Sequence, residues 1–358
     1  MLARPAGVYP ARRCGSGSRF AKMNLSNLQK ILRDEPPYRL KQAYQAVFKN
    51  CVRSWDEATI FPKDLRENLK KECPIEINAR LNESADGKTA KAALIFDDGV
   101  TVEAVLMRQA DGRNTLCLSS QAGCPLGCGF CITGKKGFRR NLNTDEIITQ
   151  ALFFARYLHQ KNERISNAVF MGMGEPFLNY DAVLTAIRIL NDKDFFNIGA
   201  RKISISTCGI VEGIKKLANE PLQINLAISL HAPNDKMRAG LMPIDKKYPI
   251  KKVLEATAGY IKKTGRRVMI EYLMLKNIND GPEHARELSN LLKKELRRLF
   301  FVNIIPHNPT GFFDPAEGPR IKRFKDMLER TGITVTQRFR FGRDIKGACG
   351  QLAGENEN

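Results

Sequence analysis

Thr115-Leu116-Cys117-Leu118-Ser119-Ser120-Gln121-Ala122-Gly123-Cys124-Pro125-Leu126-Gly127-Cys128-Gly129-Phe130-Cys131 runs from a short β-type stretch straight into a loop bearing three cysteines. Cys124, Cys128 and Cys131 fall within eight residues, in the pattern C-x3-C-x2-C. Three thiolates so spaced on one loop can each hold one iron of a cubane cluster. No fourth cysteine follows at a compact interval, which leaves one iron open to a reacting ligand. Structural zinc is the competing reading. It prefers four protein ligands, usually as two short pairs, and no second pair exists, although Cys117 or Cys208 could complete a site in space. Cys14, Cys51, Cys73 and Cys208 otherwise read as ordinary thiols.

Beyond this loop, β-rich runs alternate with amphipathic helical patterns. Strands are expected over 115–119, 168–171, 202–207, 224–230, 268–275 and 300–305. Helices are expected over 146–159, 180–190, 211–218, 250–263, 283–296 and 320–330. Six such units predict an α/β fold, a partial (β/α)6 TIM-like barrel; a doubly wound open sheet gives nearly the same string. Barrel enzymes put their chemistry at the C-terminal ends of the strands. Small or polar clusters stand there: Gly172-Met173-Gly174-Glu175-Pro176, Ser206-Thr207-Cys208-Gly209, Ser229-Leu230-His231 and His307-Asn308-Pro309. Singly, each is more ordinarily a turn or a satisfied structural histidine. Their shared location at one face is what argues for a ligand.

Upstream, apolar residues recur at helical spacing from Leu28, Ile31 and Leu32 to Leu65 and Leu69, punctuated by Pro36, Pro37 and Pro62. Residues 75–106 alternate apolar and polar positions, with turn signals at Asp86-Gly87 and Asp97-Asp98-Gly99, as a short antiparallel element would. The expected organisation is a basic, disordered extension over 1–22, a helical accessory domain over 23–85 and a β linker over 86–112. A core over 113–350 and a tail over 351–358 complete it.

Lys and Arg number 58 against 38 acids, a net charge of +20, which favours a polyanionic partner. No apolar run reaches the roughly 18 residues of a membrane span, so no membrane partner is expected. Nine cysteines in 358 residues do not form a secreted disulfide scaffold, and their crowding suggests a reducing, cytoplasmic setting. Residues 1–22 carry five basic side chains and no acid. A transit peptide, an RNA-contacting tail or an upstream start with Met23 as the true beginning would each fit, and the last is favoured.

With Phe130 just before the last cysteine, the cysteine loop resembles the hallmark of the radical S-adenosylmethionine (SAM) superfamily. Residues 116–124, 137–142, 171–176, 229–232 and Gly347-Ala348-Cys349-Gly350-Gln351-Leu352 resemble the RlmN/Cfr family of radical-SAM RNA methyltransferases. The likeness runs from about residue 25 to the C-terminus. It rests most on Cys349, a cysteine far from the loop. The resemblance implies a [4Fe–4S] cluster on Cys124, Cys128 and Cys131, and two SAM molecules per turnover. It implies Gly174 and Glu175 at the SAM amino group, with Ser206, Ser229, Leu230, His231 and Asn308 completing that pocket. Cys349 would carry the methyl group, Cys117 would resolve it, and Glu103 would accept a proton. The Glu103–Cys117 spacing is one residue longer than the family pattern.

The implied chemistry explains the residue types. C2 and C8 of adenine are not nucleophiles toward SAM, whereas the Cys349 thiolate is. A 5′-deoxyadenosyl radical then activates the S-methyl group, which adds to adenine. Glu103, Cys117 or both could accept the ring proton, and its loss lets Cys117 attack Cys349, forming a disulfide and releasing methylated adenine.

In the family, the substrate is an adenosine in the peptidyl-transferase region of 23S rRNA, reached before ribosome assembly because a stacked adenine must be extruded. Some members also methylate the adenosine beside the tRNA anticodon. A flavodoxin or ferredoxin is the expected reductant. Basic stretches 135–140, 246–252 and 338–346 could follow phosphates, though short charge runs are commonly solvated surface. Attack at C8 is the nearest rival, and Glu175-Pro176 favours C2. A radical enzyme acting on a peptide or small molecule would not need both Cys117 and Cys349. A zinc-stabilised RNA-binding protein would be colourless and indifferent to SAM.

Overall fold

The computed structural model describes residues 23–339 and 341–354, so the expectations for 1–22 and 355–358 lie outside the described residues. The first helices are α1 (Leu25–Ile31), α2 (Tyr38–Tyr44, continued by a π turn over Gln45–Lys49) and α3 (Lys63–Glu72). They pack around Trp55, which is fully buried with its indole N–H donating to the Cys73 carbonyl at 2.7 Å. Tyr44 and Phe48 meet Phe195 in tilted and edge-on ring contacts, so this helical part shares one apolar core with the rest.

Four strands follow: β1 (Ala79–Glu83), β2 (Thr89–Ile95), β3 (Thr101–Arg108) and β4 (Asn114–Cys117), each antiparallel to the one before. The expected antiparallel element is present, but it is not a linker. The boundary drawn at residue 85 falls in the turn between β1 and β2, and the strands form one end of the main sheet. Residues Thr101–Leu106 of β3 are all buried, as a strand covered on both faces must be. Alternation in the sequence revealed the strands without revealing the sheet they join.

From β4 onward the sheet is parallel, through β7 (Asn167–Phe170), β8 (Ile203–Thr207), β9 (Asn225–Ser229), β10 (Val268–Met274), β11 (Phe300–Pro306) and β12 (Val335–Gln337). The small pair β5 (Gln121–Gly123) and β6 (Phe138–Asn141) stands apart and brackets the cysteine loop and α4 (Ile132–Lys135). The long crossover helices are α5 (Thr144–His159), α6 (Tyr180–Asn191), α9 (Ile250–Thr264), α10 (Pro282–Leu296) and α11 (Gly318–Arg330). Shorter α7 (Val211–Leu217) and α8 (Asp235–Leu241) lie between α6 and α9. Asn143 and Glu146 close a capping box that fixes where α5 begins.

Strand order in the ten-stranded sheet follows chain order without reversal. A doubly wound sheet reverses at a switch point; here every crossover adds its strand on the same side, the winding of a partial barrel. The six expected parallel strands are all present, and β12 adds a seventh.

Candidate active site

The C-terminal ends of the parallel strands surround one cavity, with about 1430 Å³ of space including its open mouth. Cys117 ends β4, Ser206 and Ser229 sit at the ends of β8 and β9, and Asn308 follows β11. All four line the cavity, together with Cys124, Cys128, Cys131, Gly174, Glu175, His231 and Cys349. The fold thus brings together eleven of the thirteen residues expected from the sequence.

Two stand elsewhere. Leu230 is fully buried in the apolar core, and only its backbone belongs to the site's framework, its N–H donating to the Glu271 carbonyl and its carbonyl accepting from Arg238. Glu103 lies on the same face of β3 as the cavity residues Val105 and Met107, but it does not line the cavity. Its carboxylate pairs with Lys91 at 2.9 Å and accepts the backbone N–H groups of Ala353 and Gly354 at 2.5 and 3.0 Å. Between Glu103 and Cys117 the strands pair in regular register, with Val105 opposite Cys117.

The cysteine loop is fixed locally. Cys124 N–H donates to Gly137 O, Cys131 N–H to Cys128 O, and Gly129 N–H to Leu241 O. Burial raises the Cys124 thiol to about 12 and the Cys131 thiol to about 11. Iron ligation requires thiolates and displaces those protons. Among the described residues no group of three or more His, Cys, Asp or Glu gathers tightly enough to hold a single metal ion. A cubane needs no such convergence, because each cysteine holds its own iron. Three cysteines on one loop, facing a cavity whose far side bears acceptors, suit a cluster with an open iron. Asn308 Oδ1 is one such acceptor, buried without a hydrogen-bond partner.

The far wall is polar by design of three adjacent strands. Glu271 of β10 is buried and accepts from Ser206 Oγ at 2.6 Å and Ser229 Oγ at 3.2 Å. Glu175 N–H donates to Gln121 Oε1, and its carboxylate accepts the N–H groups of Phe177 and Cys208 at 3.1 and 2.7 Å. Burial raises its pKa, so a ligand ammonium beside it would gain a strong partner. Gly174 has φ +96°, and a Cβ there would lie 2.5 Å from Gln121 Cβ, so the turn accepts only glycine. His231 has a left-handed backbone, φ 61°, and its Nδ1 accepts Leu273 N–H. Burial lowers its pKa to about 3, keeping the ring neutral with its proton on Nε2.

Cys117 and Cys349 come from opposite ends of the core. Burial pushes the Cys117 thiol to about 12, and the nearby Arg338 guanidinium works against that rise. Cys349 is exposed as a residue, but the groups packed around its thiol desolvate and raise it, and Arg338 eases that rise. Arg338 also pairs with Glu271 at 3.4 Å. Fully buried Arg238 ties the strand-end loops together, bonding Asp245 Oδ1 at 2.7 Å, Cys208 O at 2.6 Å and Leu230 O at 3.2 Å.

Sequence reasoning missed Glu271, Arg338 and Cys208. Glu271 left a signal, a lone acid inside the apolar run Val268–Met274. Arg338 left none, being one more cation in a basic stretch. Cys208, read as an ordinary thiol, lines the cavity and hydrogen-bonds Cys128, which with burial lifts its pKa well above the usual thiol range.

A family model described as the Radical SAM superfamily matches residues 118–289. A Dictyoglomus thermophilum protein named "Probable dual-specificity RNA methyltransferase RlmN" is 44% identical over 333 residues, covering 92% of this chain and 94% of the relative. A Chloroflexus aurantiacus protein of the same printed name is 44% identical over 347 residues, covering 93% and 92%. Among solved structures, a radical SAM methyltransferase from Sphaerobacter thermophilus superposes with a TM-score of 0.88 at 40% identity, covering 93% of this chain and 98% of that one.

Proposed function

This chain belongs to the RlmN family of radical-SAM RNA methyltransferases, and from that premise we propose that it methylates C2 of an adenosine in the peptidyl-transferase region of 23S rRNA. The dual specificity in its relatives' names extends the proposal to the adenosine beside the tRNA anticodon. One observation carries the reading: Cys117 and Cys349, more than 200 residues apart, line the same cavity as the three-cysteine loop.

Cys124, Cys128 and Cys131 would hold the cluster, which with SAM supplies a carbon-centred radical when bound and reduced. Glu175, beside the turn at Gly174, would take the SAM ammonium, and Ser206, Ser229, His231 and the free acceptor of Asn308 would hold the remaining polar groups. Leu230 would contribute backbone alone. Cys349 acts as the nucleophile for a SAM methyl group, and Arg338 stabilises its thiolate. Once the ring has given up one electron and its proton, Cys117 attacks Cys349 Sγ, so the bond from that sulfur to the methylene carbon breaks as the disulfide forms. The freed carbon takes a proton to become the methyl group, and two electrons from the reductant reopen the disulfide before the next turnover. The proton on the attacked carbon goes to a base facing the cavity. While residues 353–354 are docked, Cys117 faces it and Glu103 does not. A flavodoxin- or ferredoxin-type protein in a reducing cytoplasm would supply electrons. Among the described residues no helix is long and apolar enough to cross a membrane.

The test is anaerobic turnover of cluster-loaded protein with SAM, a reductant and unmodified 23S rRNA, read by nucleoside mass spectrometry. Formation of 2-methyladenosine with both S-adenosylhomocysteine and 5′-deoxyadenosine is expected. An 8-methyl product would replace the C2 assignment, and no SAM cleavage by loaded protein would overturn the reading.

A further inference from the structure

Resting on that reading for the role of Cys349, we propose that the buried Lys91–Glu103 ion pair is a latch that docks the C-terminal segment and thereby positions Cys349 at the cavity. Lys91 on β2 and Glu103 on β3 are diagonal neighbours, since Ala93 pairs with Glu103 and Lys91 with Val105. Their side chains are 4% and 3% exposed, so each charge depends chiefly on its protein partners. The two carboxylate oxygens divide the work. Oε1 meets the Lys91 ammonium, while Oε2 grips two successive amides, Ala353 N–H and Gly354 N–H. Hydrogen bonds to an ionised acceptor are the strong kind.

The fit around Gly354 is specific. Its φ is +63°, and a Cβ there would lie 2.7 Å from Thr101 O and 2.8 Å from Met173 Cε. Other anchors tie the same segment to the cluster loop and to the end of β11. Ile132 N–H donates to Gly350 O at 2.9 Å, Thr133 Oγ to Leu352 O at 2.6 Å, and Gln351 Nε2 to Pro309 O at 3.0 Å. Cys349 itself is exposed; its carbonyl accepts a long 3.4 Å bond from Asn308 Nδ2 and its thiol takes the adjacent Gly350 N–H. Its place at the cavity is therefore set by its neighbours: residues 350–354 after it and, before it, the turn in which Gly347 N–H donates to Gly342 O and Asp344 accepts Ala85 N–H. Ser119 Oγ donates to Glu103 O and accepts Met173 N–H, which connects the latch to the Gly-rich turn of the proposed SAM pocket. Lys91 and Glu103 act on Cys349 through residues 350–354; they are positioning residues.

The test uses the full-length, cluster-loaded protein and its Lys91→Met, Lys91→Arg and Gly354→Ala variants. Amide hydrogen exchange over residues 348–354 is measured beside iron content and the mass gain of Cys349 on incubation with SAM. Lys91→Met and Gly354→Ala should exchange about tenfold to a hundredfold faster over 348–354, the bias expected of bonds to a charged acceptor. Iron content and exchange in β7–β11 should stay as in the parent, Cys349 methylation should slow by a comparable factor, and Lys91→Arg should restore most of both. Gly354→Ala leaves the ion pair intact and decides the matter if Lys91→Met does not fold. Parent-like exchange over 348–354 in folded variants would overturn the latch, as would faster exchange with unchanged Cys349 methylation. Failure of the parent protein to methylate Cys349 at all would instead remove the functional reading, while the exchange data still judged the docking.

Discussion

The loop 124–131 and the segment 347–354 deliver cysteines to the same cavity, but they are held in opposite ways. The loop takes several of its backbone bonds from within 124–137, Cys124 N–H to Gly137 O and Cys131 N–H to Cys128 O, with Gly129 N–H reaching out to Leu241 O. The segment owes its place to partners far off in sequence, Glu103 lying 250 residues before Ala353. If the proposed roles hold, such a site can keep its cofactor while its nucleophile is displaced, so the two halves should fail separately.

The largest separation comes from the cysteines themselves. Cys128→Ala should lose cluster absorbance, SAM cleavage and methylation together. Cys349→Ala should keep iron and SAM cleavage while RNA methylation falls by at least about a thousandfold, because no thiolate remains to take the methyl group. Cys117→Ala should leave RNA joined to Cys349 as a thioether, detectable as a protease-sensitive shift of the RNA in a denaturing gel. Equal loss of iron in the Cys349 and Cys128 variants would merge the two halves and break the comparison.

Next is Arg238→Met, which strands Asp245 and frees the loops after β8 and β9. Removing one partner of a buried pair should cost about 3–5 kcal/mol, read as a lowered thermal midpoint of the iron-loaded protein. An unchanged midpoint would show that these loops stand without their buried arginine. A smaller effect, about tenfold, is expected from Arg338→Met on methyl transfer to Cys349. Removing the cation raises the thiol pKa further, so the loss should be greatest near neutral pH and shrink as pH rises toward the thiol range. A pH-independent loss would mean that Arg338 positions rather than ionises. The smallest is Asn308→Ala, about threefold to tenfold weaker SAM binding with iron unchanged, from one hydrogen bond measured by equilibrium dialysis.

Local patterns carried a large part of the fold. The six core strands and their crossover helices were legible to within a few residues, because side-chain period and turn chemistry are written in neighbouring residues. The cysteine loop was legible for the same reason. Cys117 and Cys349 became legible only as a pair, through family likeness, since either alone is an ordinary thiol. What tertiary structure alone decided was which distant groups meet: strand order without reversal, Glu271 between two serines, Arg338 beside two thiols, Cys208 against Cys128. It also moved Glu103 from the cavity wall to the C-terminal segment. Spacing along a chain reports torsions and periods within a few residues, whereas a buried charge finds its partner by burial, and burial is a property of the packed whole.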